Sequence, residues 1–220
     1  MHQSRNLLVL SAAALLAVGL TGCHSGTEGT AQHTDSNSKA VPGWTEVKSS
    51  GVAISLPSEL PVLDLSSGDV AEIQKKASGL FANSPDAQQA ASKAMSNGNL
   101  KLMAMEKTQS TPGFRNNFNL LVIATPSSLT EDQLLAAGKD AMEKISVPNS
   151  VTGEVMSLPA GKCVHLESTI KAQALTYGVA SYTFIHDSKQ FVFSFSRGLG
   201  SDSKWSDIAK KAVQTVRFTN

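Results

Sequence analysis

The residues best placed to do chemistry fall in one run, Lys162-Cys163-Val164-His165-Leu166-Glu167. On a strand, side chains at i, i+2 and i+4 share a face. Cys163, His165, Glu167 and Thr169 then line one side, and Val164, Leu166, Ser168 and Ile170 the other. A thiol, an imidazole and a carboxylate on one face make a zinc ligand set. The same three groups make a thiol hydrolase if His165 activates Cys163. Strand geometry opposes both: neighbours two apart have Cα atoms about 6.5 Å apart and diverge with twist, so a tight Cys–His hydrogen bond is awkward. A half-buried thiol packed as a small hydrophobe, on the mixed face of an amphipathic sheet, accounts for the same pattern. That reading is favoured, with no catalytic residue and no metal ligand assigned.

The other candidates weaken in the same way. His186-Asp187 reads as a hairpin turn, where an aspartate bonds its own backbone. Ser194-Phe195-Ser196-Arg197-Gly198 looks like a serine nucleophile elbow, but Ser194 stands where that motif needs glycine. No Gly-rich phosphate loop or calcium loop occurs, so no cofactor is expected. The Phe191, Phe193 and Phe195 row can line a lipid pocket; it reads better as sheet core beneath a helix carrying Trp205. Met103 and Met105, with Met95 nearby, read as gap-filling core. Phe114 and Arg115, in the Pro-Gly loop TQSTPGFRN, are expected to be exposed and are the best candidates for contact with a partner, since an aromatic and an arginine together suit an interface.

These residues need a frame. Trp44–Lys48 and Val52–Leu56 predict a hairpin about Ser49-Ser50-Gly51. Helical spacing follows over 69–82, and a second helix over 84–97 opens on Ser84-Pro85. The period then changes to two over 100–107, and 117–124 turns apolar on both faces, as in a central strand. Thr130 to Gln133 forms a capping-box pattern for a helix running to about Ile145. Strands are predicted over 151–158, 162–170, 177–186 and 190–196. A last helix over 203–215 carries Trp205, Ile208, Ala209, Ala212 and Val213 on its inner stripe, and Val216-Arg217-Phe218 closes the chain. Short connections make the strands antiparallel, with the helices packed on the sheet. The class is α+β, a mainly antiparallel sheet flanked by helices.

The N-terminal region has its own logic. Arg5 precedes a nearly unbroken Leu, Val and Ala run from Leu7 to Leu20. That run is shorter than the roughly 20 residues that a transmembrane helix needs, and has the length of a signal-peptide core. Leu20-Thr21-Gly22-Cys23 follows, and resembles the lipobox of bacterial lipoproteins. The resemblance implies cleavage before Cys23 and diacylation, palmitate included, of its sulfur, because only a thiol forms the thioether. Residues 1–22 are then a signal peptide, 23–40 a flexible polar tether, and 41–220 one domain. Two or more acyl chains anchor a protein durably where one does not. The chain has 19 basic and 18 acidic residues; loss of Arg5 balances them, and no basic block stands out, so nucleic acid is not an expected partner. Cys163 is the only cysteine besides Cys23, which leaves it unpaired.

The element order also resembles the PsbP-like α-β-α sandwich. The residues that carry this are Trp44 followed by Gly51-Val-x-Ile-x-Leu-Pro57, the helix after Ser128-Leu129-Thr130, Leu158-Pro159-Ala160-Gly161-Lys162, and the aromatic strand before the terminal helix. The family includes a photosystem II subunit, a Ran-binding nuclear import factor and LpqN-type lipoproteins. The resemblance covers about residues 44–219, excepting the helical segment 69–97. It implies a non-catalytic binding or assembly module acting on a protein or lipid partner. With the lipobox, that places the expected protein on the extracytoplasmic side of the cell envelope. Where two membranes exist, His24 lacks the aspartate resembling an inner-membrane retention signal, so the outer membrane is favoured. The competing reading is a thiol- or zinc-dependent hydrolase using Cys163, His165 and Glu167.

Overall fold

Ser50 and Gly51 both take positive φ, 54° and 86°, as a two-residue hairpin turn matched to strand twist requires. They join β1 (Trp44–Ser49) to β2 (Val52–Pro57), as the sequence predicts. The computed structural model describes residues 41–66, 98–112, 114–172, 175–200 and 204–219. The expected signal peptide (1–22), the expected tether (23–40) and the two helices expected over 69–97 lie outside the described residues.

The remaining described elements keep the expected order with one addition, a three-residue strand after Pro61 that the sequence pattern does not predict. They are β3 (Val62–Asp64), β4 (Leu100–Met105), β5 (Asn117–Ala124), α1 (Glu131–Glu143), β6 (Thr152–Leu158), β7 (Gly161–Ala172), β8 (Leu175–His186), β9 (Lys189–Gly198), α2 (Lys204–Gln214) and β10 (Arg217–Phe218). Every pairing is antiparallel. The strands form two sheets: β3-β4-β5-β9-β8-β7-β6, and a smaller β1-β2-β10. The opening hairpin therefore leaves the main sheet and pairs with the last strand, a long-range partnership that local periodicity does not reveal.

The two described helices cover opposite faces. α1 begins with the expected capping box: Gln133 N donates to Thr130 Oγ1 at 3.3 Å, and Thr130 N donates to Gln133 Oε1 at 3.1 Å. These bonds satisfy two backbone donors that a helix start otherwise leaves open. Its buried residues Leu134 and Met142 pack with Val164, Leu166 and Ile170 of β7. The approach is close, since a Cβ at Gly138 would stand 2.6 Å from Leu166 Cδ1. α2 buries the expected stripe of Trp205, Ile208, Ala209, Ala212 and Val213. The stripe meets Phe191, Phe193 and Phe195 of β9 and Val52, Ile54 and Leu56 of β2 in a second core. Each large side chain buried this way contributes about 1.5–3 kcal/mol. Phe195 and Trp205 ring centroids are 6.5 Å apart, at 64°, so the aromatic row is core, as expected.

β5 departs from the apolar reading of both its faces. Asn117 and Asn119 are buried with Ser196 and Ser194 opposite them on β9. Asn119 Nδ2 donates to Asn117 Oδ1 at 3.1 Å. The strand is central as predicted, but this half of one face is polar.

Candidate functional site

β7 carries both halves of the opening expectation, and the structure separates them. Its alternation holds, but both faces are covered. Cys163 is 0% exposed and belongs to the core beneath α2, buried further than the half-buried thiol expected. Burial pushes the thiol up to about 12, since a thiolate is poorly solvated there. His165 stacks on Tyr182, its cross-strand neighbour, with centroids 4.4 Å apart. Its Nδ1 is 3.8 Å from Glu154 Oε1 and its Nε2 3.4 Å from Glu167 Oε1. Nε2 approaches this oxygen without a well-aligned hydrogen bond. Hydrogen bonding to the nearby imidazole, helped by the charges of Arg197 and Lys210, holds the Glu167 carboxyl below its ordinary value. Among the described residues no three His, Cys, Asp or Glu side chains converge as a metal site. His165 faces two carboxylates, and the thiol is sealed in the core.

The remaining candidates resolve from their positions. Asp187 and Ser188 form the β8–β9 turn with φ of 47° and 54°, while His186 stacks on Phe218 at 4.0 Å. Ser194 is 1% exposed on the polar face of the main sheet, with no room for a substrate. Met103 and Met105 are buried, as expected for core.

Phe114 requires a correction. It is not an exposed loop tip: it is 2% exposed and stacks on Tyr177, with centroids 5.2 Å apart and planes at 21°. Thr111 and Phe114 close the loop on itself, Phe114 N donating to Thr111 O at 2.9 Å, and this turns the ring inward. Arg115 is half-buried beside it. The Phe–Arg pair is thus not presented as a unit to a partner.

Sequence reasoning missed a hollow of about 180 Å³ under the first turn of α2. Its floor follows from strand register. Thr169, Gly178 and Arg197 form one cross-strand row, and Glu167, Ala180 and Phe195 the next. The middle positions carry no side chain and a methyl, so space remains between β7 and β9. Arg197 lies down over Gly178, with Nε, Cγ and Cζ at 3.2, 3.3 and 3.4 Å from where a Cβ would be. Trp205 lines the hollow and is 1% exposed. Its Nε1–H is buried without a hydrogen-bond partner, an open donor that normally finds one. Gly178 and Ala180 on a predicted strand were the available signal, but only the register sets them beside Glu167 and Arg197.

No protein-family model matches the chain, and no curated protein matches it. Solved structures of similar shape include a Bacteroides thetaiotaomicron protein (10% identity, TM-score 0.45, covering 77% of this chain and 46% of that one). Others are LpqN, involved in cell envelope biogenesis of Mycobacterium tuberculosis (10%, 0.48, 83% and 88%), and the cyanobacterial PsbP of Synechocystis (8%, 0.48, 84% and 98%). The chain spans less than half the length of the Bacteroides protein. At these identities the likeness concerns the fold alone, and no functional step rests on it.

Proposed function

We propose that the protein is a lipid-anchored lipoprotein of the cell envelope whose folded part is a non-catalytic module binding a protein partner. The observation that carries this is Leu20-Thr21-Gly22-Cys23 at the end of a short apolar run, followed by a polar stretch to residue 40. Cys23 is the lipid attachment site, and residues 24–40 leave the domain free to reach its partner. A buried Cys163 with a raised thiol, and a His165 occupied by two carboxylates, favour binding over thiol or zinc hydrolysis. The Phe191, Phe193 and Phe195 row is occupied by core contacts with its neighbours, which favours a protein over a lipid as ligand. In a cell with two membranes, His24 after Cys23 favours the outer one.

Fractionation of cells expressing Cys23→Ala tests the anchor. The wild-type chain is expected in membranes and to incorporate labelled palmitate; the variant is expected unlabelled and released. Membrane retention of the variant without label would overturn the reading.

A further inference from the structure

We infer that the hollow under α2 is a binding site for a small hydroxylated carboxylate, such as a uronic acid. The site stands apart from the anchor and from the proposed protein partner, and is tested without either.

Size sets the first limit. The hollow, of about 180 Å³, is open to solvent and matches a ligand of monosaccharide size. Its walls are mostly polar, which suits hydroxyls better than an acyl chain. Charge sets the second. Arg197 lies over Gly178 and lines the hollow, and a planar fork of donors suits a carboxylate. Trp205 walls the hollow beside it. The positive end of α2 adds to the attraction for an anion.

Glu167 sets the third. It stays ionised at neutral pH, because His165, Arg197 and Lys210 all favour its charged form. An anionic wall repels a bare anion but accepts hydrogen bonds from hydroxyls. Thr169 and Ser206 add hydroxyls of their own. A ligand that satisfies both walls presents a carboxylate to Arg197 and hydroxyls to Glu167. Inorganic phosphate answers only the first wall, and a neutral sugar only the second.

The chain's two tryptophans are Trp44 and Trp205, so a Trp44→Phe background leaves Trp205 as the sole reporter. The full chain, purified in mild detergent, is titrated with D-glucuronate, D-glucose and trigalacturonate while indole emission is followed. Glucuronate is expected to produce a saturable change and glucose none at equal concentration. A response to the monomer indicates a free acid as the source, and a response to the trimer alone indicates a glycan end. Arg197→Met and Ala180→Leu are each expected to weaken binding by about tenfold or more. Should Ala180→Leu fail to fold, Arg197→Met decides. Emission indifferent to both acids, an equal response to glucose, or unchanged affinity in Arg197→Met would each overturn the inference.

Discussion

Arg197 lies flat on the backbone of Gly178, its Nε 3.2 Å from the place where any other residue would carry a Cβ. The two face each other across β8 and β9, and the bare glycine is what lets the arginine lie along the edge of the hollow. In Gly178→Ala the long, flexible arginine withdraws by a few tenths of an ångström. Stability is expected to change by less than about 1 kcal/mol, while affinity for glucuronate falls severalfold. Denaturant unfolding and the Trp205 titration, run on the same sample, separate the two effects. A large loss of stability would mean that Gly178 serves packing alone.

Phe114 tests the inward-turned loop. With the ring 2% exposed against Tyr177, Phe114→Ala is expected to destabilise the fold by about 3 kcal/mol or more. A surface aromatic would lose a small fraction of that. Chemical denaturation read by circular dichroism gives the number.

Cys163 predicts an alkaline limit to stability. Its folded-state value of about 12 stands above the ordinary thiol value of 9.0, so above about pH 9 the unfolded chain releases a proton that the folded chain keeps. The contribution is complete below pH 9 and is lost as the pH rises towards 12. Tyr182, pushed up to about 12 by burial, and Tyr177, raised by the same cause, act in the same direction. Unfolding midpoints are expected to fall steadily across this window, and less steeply in Cys163→Ala. Alkylation of the thiol at pH 8 should proceed only as fast as the fold opens. Rapid labelling of native protein would show an accessible thiol.

Thr130→Ala removes the acceptor for Gln133 N and leaves a backbone donor open at the start of α1. It is expected to lower stability by about 1 kcal/mol, and Thr130→Ser is expected to restore most of it. Thermal midpoints of the three proteins suffice.

Much of the frame was legible because its signals are local. The 3.6-residue spacing of Trp205, Ile208, Ala209, Ala212 and Val213 names the inner face of α2 without knowledge of what it meets. Thr130 and Gln133 bond within one turn, and the β8–β9 turn is made by Asp187 and Ser188 themselves. The Phe191, Phe193 and Phe195 row reads as core because a period of two with aromatics leaves few alternatives. Phe114 was misread for the opposite reason: Pro-Gly composition marks a loop, but whether its ring turns outward depends on Tyr177, more than sixty residues away.

The sequence by itself determined the α+β class, the order of the described strands and helices apart from β3, the inner stripe of α2 and the residue proposed to carry lipid, Cys23. Each of these depends on a residue and its neighbours within a turn or a strand. Only the tertiary structure decided that β1 and β2 leave the main sheet for β10, that Cys163 is sealed between layers, and that Glu167, Gly178, Arg197 and Trp205 surround one hollow. Those outcomes require strands from distant parts of the chain to pair in one register. A hollow belongs to none of its walls: it forms where the small residues of β8 lie between larger ones on either side, and no local pattern records that meeting.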